Sequence, residues 1–432
     1  MRFLAILMFI SLFHVSSVIA EDKPSLFAKF KDFILDESLD KQHLNPARTP
    51  SNTSIKSMEC LDVLPYDHTP IMDYVGHHAR PMANDLAPSI ETLSFQPRFN
   101  GLKGPNITIM RRDLENALIH NNGSANEIYH NAVIESPPYN ACDKKIKPEW
   151  DVELNHHIDL FDSDKSPLIR SDIITNARIH FGGYFLATTS LKYRLYTNLK
   201  NDSQLLSLNR LDPVRQDIIG FSEQNFNLNR AMLSGFITPL PDFHVAGHAG
   251  ILEEAFMGFG GELLYRPHDA AWAIGGELWH AYKRLPYTGK ILGLNAFSPP
   301  LTSALLNIHY DIPTTDYTIG FGGGRYLDGD IGIEARGIYR PSQGWQIEGF
   351  ATVSSENDKT YNNKNTNLFA GLKVTMPLGQ FKGLPNNSRQ TFDFKPLARD
   401  KGQRINNPYP LYDITDPWQT RELYKYWNRV VE

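Results

Sequence analysis

Glu253, Glu254, Glu262 and Glu277 fall close together in the chain, and paired carboxylates are the equipment of glycoside cleavage, one as acid and one as base or nucleophile. The same residues admit a structural reading. Residues four apart on a strand share a face, so Glu262 goes with Arg266, and Glu277 shares a face with Lys283, which suggests an ion-paired lining. The lining is the expectation, because nothing in the spacing places two carboxylates around a sugar ring. His244 and His248 invite a metal reading. On a strand they would stand on the order of 13 Å apart, too far to share one ion unless a bulge closes the gap. His156 and His157 are adjacent and would point to opposite faces of a strand. Gly258-x-Gly260-Gly261 lacks the Lys-Ser/Thr pair of a phosphate loop; its glycines fit bulges or close strand approach. No catalytic residue, cofactor or metal is expected.

The elements that would position these residues are strands. From about residue 173 to 379 the chain runs in about ten segments of roughly ten residues, alternating in polarity and separated by Gly, Pro, Asn or Asp. Phe185, Ala187, Leu191, Tyr193 and Leu195 fall on one face, with Thr188, Ser190, Lys192 and Arg194 on the other. Ile331, Ile333, Ala335 and Tyr339 oppose Glu334, Arg336 and Arg340; Trp345, Ile347, Ala351 and Val353 oppose Gln346, Glu348 and Thr352. Leu306, Ile308 and Tyr310 oppose Asn307, His309 and Asp311, and Leu368, Ala370, Leu372, Val374 and Met376 oppose Asn367, Lys373 and Thr375. A water-soluble sheet also alternates, but Tyr310, Tyr339 and Trp345 near strand ends favour a bilayer, where aromatics gather at the interfaces. The expected fold is mainly β: an outer-membrane antiparallel barrel of about ten to twelve strands over 173–379, with a small α/β region over 21–150 ahead of it and a helical tail over 385–432.

The flanks and the composition add bounds. Arg2, the apolar run Phe3–Val15 and Val18-Ile19-Ala20 read as a secretory signal over 1–20, the alternative being an N-terminal membrane anchor. An amphipathic stretch with Leu26, Phe27, Phe30, Phe33 and Ile34 precedes a turn-rich linker around 45–57, and a second helical patch covers 112–120. Beyond the signal no apolar run is long enough for a spanning helix, so a membrane location requires a barrel. A net charge of −5 offers no basic surface for nucleic acid, which is not expected as a partner. Cys60 and Cys142 are the two cysteines; in an oxidising compartment they could pair, or stand as separate thiols. In the tail, Asp416, Pro417 and Gln419 open a helix whose apolar face is Leu423, Tyr426, Trp427 and Val430. That face must dock on the α/β region or in the barrel mouth.

Specific runs resemble a known family, the YjbH (or YbjH) group linked to exopolysaccharide biosynthesis in Gram-negative bacteria. The resemblance covers about Ile109 to Asn407. It rests on Arg111-Arg112-Asp113-Leu114-Glu115, Tyr129-His130-Asn131-Ala132, Leu160-Phe161-Asp162 with Ser166-Pro167-Leu168-Ile169-Arg170, and Leu233-Ser234-Gly235-Phe236. Most specific are Glu253–Pro267, EEAFMGFGGELLYRP, and Trp272–Leu278, WAIGGEL, closed by Pro396–Arg404, PLARDKGQR. The resemblance implies an outer-membrane barrel for polysaccharide production or secretion, without enzymatic activity, whose partners are outer-membrane lipid, exopolysaccharide and other secretion components. Rival readings are a barrel-embedded surface hydrolase and a soluble periplasmic β-rich binding protein.

A barrel of about ten strands is only slightly wider inside than one that side chains fill. Lys192, Arg194, Glu262, Arg266, Glu277, Lys283, Glu334, Arg336, Arg340, Glu348 and Lys373 are therefore expected to line and occupy the lumen as opposite-sign pairs, with contact to polysaccharide as their possible role.

Overall fold

The computed structural model describes residues 55–87, 89–118, 123–136, 147–160, 167–181, 183–199, 214–215, 218–286, 294, 298–355, 366–397 and 400–432. The expected signal, the amphipathic stretch after it and Cys142 lie outside the described residues. Cys60 is disulfide-bonded. The segment read as linker already gives way to strand at Ile55.

The α/β region packs β1 (Ile55–Asp62) parallel to β2 (Ile90–Phe99), which continues antiparallel through β4 (Asn106–Met110) to β5 (Val133–Glu135), with β3 (Leu102–Lys103) beside β2. A parallel pair cannot be joined by a hairpin; here the crossover is α1 (Ile71–Asp85). Leu93, Phe95, Ile107 and Ile109 are fully buried against Met72, Val75 and Ala79 of α1, Leu114 of α2 (Arg111–Leu118) and Ile128 of α3 (Ala125–Asn131). Ser124 caps α3, its hydroxyl accepting from the Glu127 amide.

Thirteen strands then close a barrel: β6 (Lys147–Asp159), β7 (Leu168–Phe181), β8 (Phe185–Thr197), β9 (Phe226–Leu240), β10 (Phe243–Glu253), β11 (Phe256–Tyr265), β12 (Trp272–Lys283), β13 (Leu301–Asp311), β14 (Tyr317–Arg325), β15 (Ile331–Tyr339), β16 (Gln346–Ser355), β17 (Thr366–Pro377) and β18 (Arg389–Phe394). The barrel begins before residue 173 and ends after 379, and the count is one above the ten to twelve expected. The reason is at the seam. An up-and-down meander with an odd number of strands starts and finishes in the same direction, so its ends can meet only in parallel. That is how β18 pairs β6, from Arg389 opposite Glu153 to Phe394 opposite Ile158. Six-residue β18 is too short, and follows too turn-rich a stretch, for periodicity to reveal it.

The two faces of the wall are inverted relative to a soluble protein. Outward residues include Leu191, Tyr193, Leu195, Leu306, Phe321, Ile331, Leu368 and, at 70% exposed, Ile333. Inward ones include Lys192 at 1% and Arg178, Asp151 and Glu334, all buried. Short connections (182–184, 241–242, 266–271, 312–316, 340–345) share one end of the barrel with that of 378–388, and the α/β region packs there. Gly101 lies against the Phe236 carbonyl so closely that a Cβ would stand 1.9 Å from it. The Lys103 amide donates to Thr238 Oγ1 at 3.0 Å, and Phe99 meets Phe236 edge-on at 5.1 Å. The connections 160–167, 198–225, 284–300 and 356–365 share the other end with the short 254–255 and 326–330, so the longest connections lie there.

The tail does not form the single helix read from Asp416. It breaks into α4 (Leu411–Thr415), a 3-10 turn at Asp416–Trp418, α5 (Thr420–Lys425) and a second 3-10 turn at Trp427–Val430. Pro417 sits within this first turn rather than opening a long helix, and Gln419, extended at ψ 143°, ends the turn after Trp418. Leu423, Trp427 and Val430 are buried against the α/β region, and Trp427 meets Tyr129 edge-on at 5.1 Å.

This docking generates a test. A Cβ on Gly76 of α1 would approach the Val430 carbonyl oxygen to 2.7 Å. Gly76→Ala should therefore lower stability by about 1–3 kcal/mol through overpacking despite its better helix propensity, and should free the C-terminus for carboxypeptidase digestion. Digestion at the wild-type rate would show that this contact does not hold the tail.

Candidate functional site

The lumen is filled by the chain's own tail. After β18, at the end with the longer connections, the Gly402 amide donates to Asp330 and the Leu327 amide donates to the Gln403 carbonyl at 3.0 Å. Midway, Arg404 bonds Asn307 at 2.5 Å and Glu334 at 3.1 Å and lies 3.4 Å from Glu277. Further on, Asn407 and the Leu411 amide both donate to Glu262, at 3.0 and 2.7 Å. The tail leaves at the opposite mouth, where the Thr420 amide donates to the His268 carbonyl and Trp418 packs beside Gly104.

Three charge clusters hang on this segment or lie beside it. At the long-connection end Arg170 pairs with Asp172 and Glu254, both at 2.7 Å, and Lys192 pairs with the same Glu254; Arg215 pairs with Glu253 at 2.9 Å. At mid-height Arg336 bridges Glu334 and Glu348, at 2.7 and 2.9 Å, and Thr352 donates to Glu334. At the α/β end Arg266 contacts Asp311 and Asp416, at 2.9 and 2.7 Å, and stacks over the Tyr412 ring at 4.0 Å. Arg340 pairs there with Asp413 at 2.6 Å. Burial would raise the Asp416 carboxyl, but Arg340, Arg266 and Arg421 outweigh it and hold it below the usual range. Glu422 goes the other way: burial first, then the Asp416 carboxylate, push it up to about 7.

Above and below the polar waist the barrel is closed by apolar clusters. Phe236, Leu264, Ile338, Tyr409 and Leu411 continue the core of the α/β region into one mouth. Val214, Phe221, Leu252, Trp279, Leu327 and Ile405 fill the other.

The residues expected to line the lumen are placed as follows. Lys192, Glu262, Glu277, Glu334, Arg336 and Glu348 face it in the pairs just given, and Lys373 lines a cavity of about 360 Å³ between tail and wall. Lys283 is buried. Arg266 and Arg340 lie one residue past β11 and β15, at the α/β-end mouth. Arg194 instead donates to the Ser222 and Glu223 carbonyls and to Asn225, tying down the 198–225 connection. The expected links of Glu262 to Arg266 and of Glu277 to Lys283 are replaced by links to the tail. Sharing a strand face does not bring residues that far apart into contact, and Glu262 and Glu277 stand directly opposite each other on neighbouring strands. Like charges so placed need a cation or donors from elsewhere, and Arg404 and Asn407 supply them. Arg404, Asp413 and Asp416 were not singled out from sequence as lumen residues; the signal available was their charge density in a segment that also carries buried aromatics. His244 and His248 are held by Thr238 and Ser234 at 3.0 and 2.9 Å, and His248 stacks on Trp279. His156 stacks on Phe392, and His157 faces Asp393 at 3.4 Å.

A closed wall, apolar outside and ionic inside, traversed by its own C-terminal segment defines a plugged, polar-cored β-barrel. The family model "Exopolysaccharide biosynthesis protein YbjH" (YjbH) matches residues 62–417, and the chain belongs to that family. It is 28% identical over 231 residues to "Uncharacterized lipoprotein YjbH" of Escherichia coli (strain K12), a match spanning 51% of this chain and 30% of that protein. Among solved structures it is similar to OmpTdeltaL8, a loop L8 deletion mutant of the Vibrio cholerae outer membrane protein OmpT. The identity is 10%, covering 54% of this chain and 87% of that one, with a TM-score of 0.28.

Removing one member of a buried ionic network costs more than an isosteric change outside it. Arg404→Leu should destabilise the barrel by on the order of 3 kcal/mol, since it leaves Glu277 and part of Glu334 uncompensated. Arg336→Leu should act in the same direction through Glu334 and Glu348, and outward Ile333→Leu should be nearly silent. Heat-modified electrophoretic mobility of the purified barrel reads the order; Arg404→Leu behaving like Ile333→Leu would remove the clamp.

Tail docking should also depend on pH. Glu422 has a folded value above that of an ordinary glutamate, so it favours the docked state fully below about pH 4.5 and progressively less as pH rises through about 7. Carboxypeptidase digestion should accelerate over that interval, and Glu422→Gln should flatten the profile. A wild-type profile without a step there would overturn this assignment.

Proposed function

We propose that this chain is an outer-membrane barrel that serves exopolysaccharide production as a non-enzymatic secretion or assembly component. The observation that carries the reading is the inverted wall: a belt of exposed Leu, Ile, Phe and Tyr outside and ion pairs inside. In water such a belt far exceeds the apolar patch a soluble monomer tolerates, whereas in a bilayer it faces lipid. Aromatic residues support the depth. Trp150, Tyr184, Phe185, Tyr265, Tyr310 and Tyr317 are exposed near the α/β end, and Tyr317 stacks on Tyr339 at 4.6 Å. Tyr193, Tyr196, Phe226 and Tyr282 are exposed towards the other end, as two interfacial girdles would be. Strands of nine residues or more, as in β14 and β15, suffice to span.

Outer-membrane barrels keep short turns in the periplasm and longer loops outside, so the α/β region, at the short-connection end, belongs in the periplasm. A non-enzymatic role is favoured because the glutamates that could act as a pair are engaged: Glu253 and Glu254 by Arg215, Arg170 and Lys192, and Glu262 and Glu277 by the tail. Exopolysaccharide and other secretion components are the partners this reading calls for.

Fractionation and a deletion strain test it together. The protein should float with outer-membrane vesicles and need detergent for extraction, and loss of the gene should reduce surface polysaccharide. Recovery as soluble periplasmic protein would end the barrel-in-membrane reading, and unchanged polysaccharide would end the secretion role. In planar bilayers the threaded tail should keep steady conductance low; large ungated conductance would show that the lumen is not occupied.

A further inference from the structure

From Arg404 to Tyr412 the tail bonds to residues of β8, β9, β11, β12, β13 and β15, among them Thr188, Arg230, Glu262, Glu277, Asn307, Asp311 and Glu334. The 360 Å³ cavity runs round the tail, lined by those strands and also by β16, β17, β18, β6 and β7, which the bonds just given do not reach. Its volume is in the range of sites that hold small ligands, about 300 Å³ and above.

This wall has the parts of a saccharide site. Phe350 and Phe369, ring centroids 5.3 Å apart, both line it and offer an apolar platform. Next to them Lys373 lines the cavity, in register with Glu348 on one side and Asp393 on the other. Those two acids also pair with Arg336 and with Lys395, so the ammonium, with three donors, shares them and can still donate to a ligand. At the adjoining level Thr391, Asn155 and Asp172 are consecutive across the parallel seam. Thr391 Oγ1, Asn155 Oδ1 and Asp172 Oδ1 are buried with no hydrogen-bond partner among the described residues, and Thr391 and Asp172 are only 3% and 2% exposed. Buried acceptors without donors are costly, and a ring of hydroxyls is the ligand chemistry that answers several at once. With acids and bases paired around it, the wall favours a neutral ligand over a charged one.

We propose that the lumen wall around Phe350, Phe369, Lys373, Thr391, Asn155 and Asp172 binds a neutral saccharide segment of one or two units. This rests on the exopolysaccharide reading above and names the ligand class within it. One ring face packs on Phe350; hydroxyls donate to Asn155, Asp172 and Thr391 and accept from Lys373. Lys395, a third exposed, lines the same cavity.

The test is calorimetric titration of the purified full chain in detergent micelles with cellobiose, maltose and lactose, and with glucuronate and inorganic phosphate as charged comparators. At least one neutral disaccharide should bind saturably. Thr391→Val and Asn155→Leu should each weaken it tenfold or more, while Ile333→Leu leaves it unchanged. Native heat-modified mobility of each variant separates a lost site from a lost fold; should one variant misfold, the other still decides. No binding of any of the three sugars, binding of the charged probes alone, or equal binding by the folded variants would overturn the site. Flotation and the deletion phenotype do not depend on this cavity, so the site can fail while the secretion reading stands.

Discussion

Arg404 is the interaction on which the interior depends. Glu262 and Glu277 face each other across neighbouring strands, and Glu334 stands on the same lumen wall. Three carboxylates in a partly desolvated space cannot all stay charged without a cation among them. Arg336 serves Glu334 and Glu348; Glu262 takes donors from Asn407 and the Leu411 amide; Glu277 and the rest of Glu334 are met by Arg404, whose planar guanidinium reaches β12, β13 and β15 at once. A lysine in its place would offer a point charge to one of these groups and leave the others short.

That requirement explains why the tail threads the barrel. A thirteen-stranded wall encloses more space than the eight-stranded kind that side chains alone can fill. The tail supplies volume and charge together: Arg404 at mid-height, Asn407 and the Leu411 amide for Glu262, and Asp413 and Asp416 for Arg340 and Arg266. The odd count itself departs from the even numbers of single-chain bacterial barrels. It forces one parallel pair, and the short β18 at that pair is also the strand from which the tail departs.

Much of the wall was legible in the sequence, because the period of two survives wherever one face is apolar and the other polar. Ile331 and Ile333 alternate with Glu334 and Arg336, and the structure points the first pair out and the second in. The seam was not legible. In β6 the outward residues include His156 and the inward ones Asp151, Glu153, Asn155 and His157, so the contrast between faces is weak, and β18 is too short to show a period. Individual partners were even less accessible. The sequence marks which residues share a face, but contact across a lumen depends on a segment from 70 to 221 residues away, without periodicity of its own.

The same dependence sets where the structure can change. The wall is a closed ladder and the tail is tethered covalently at β18, so any wider path must involve release at the far end, where Leu423, Trp427 and Val430 dock on the α/β region. That docking is apolar and buries Glu422 at a cost that rises with pH, whereas the mid-height clamp is ionic and multidentate. The weakest link in the threaded tail is therefore its last turns, and the α/β region that grips them is the element placed to decide whether the lumen stays filled.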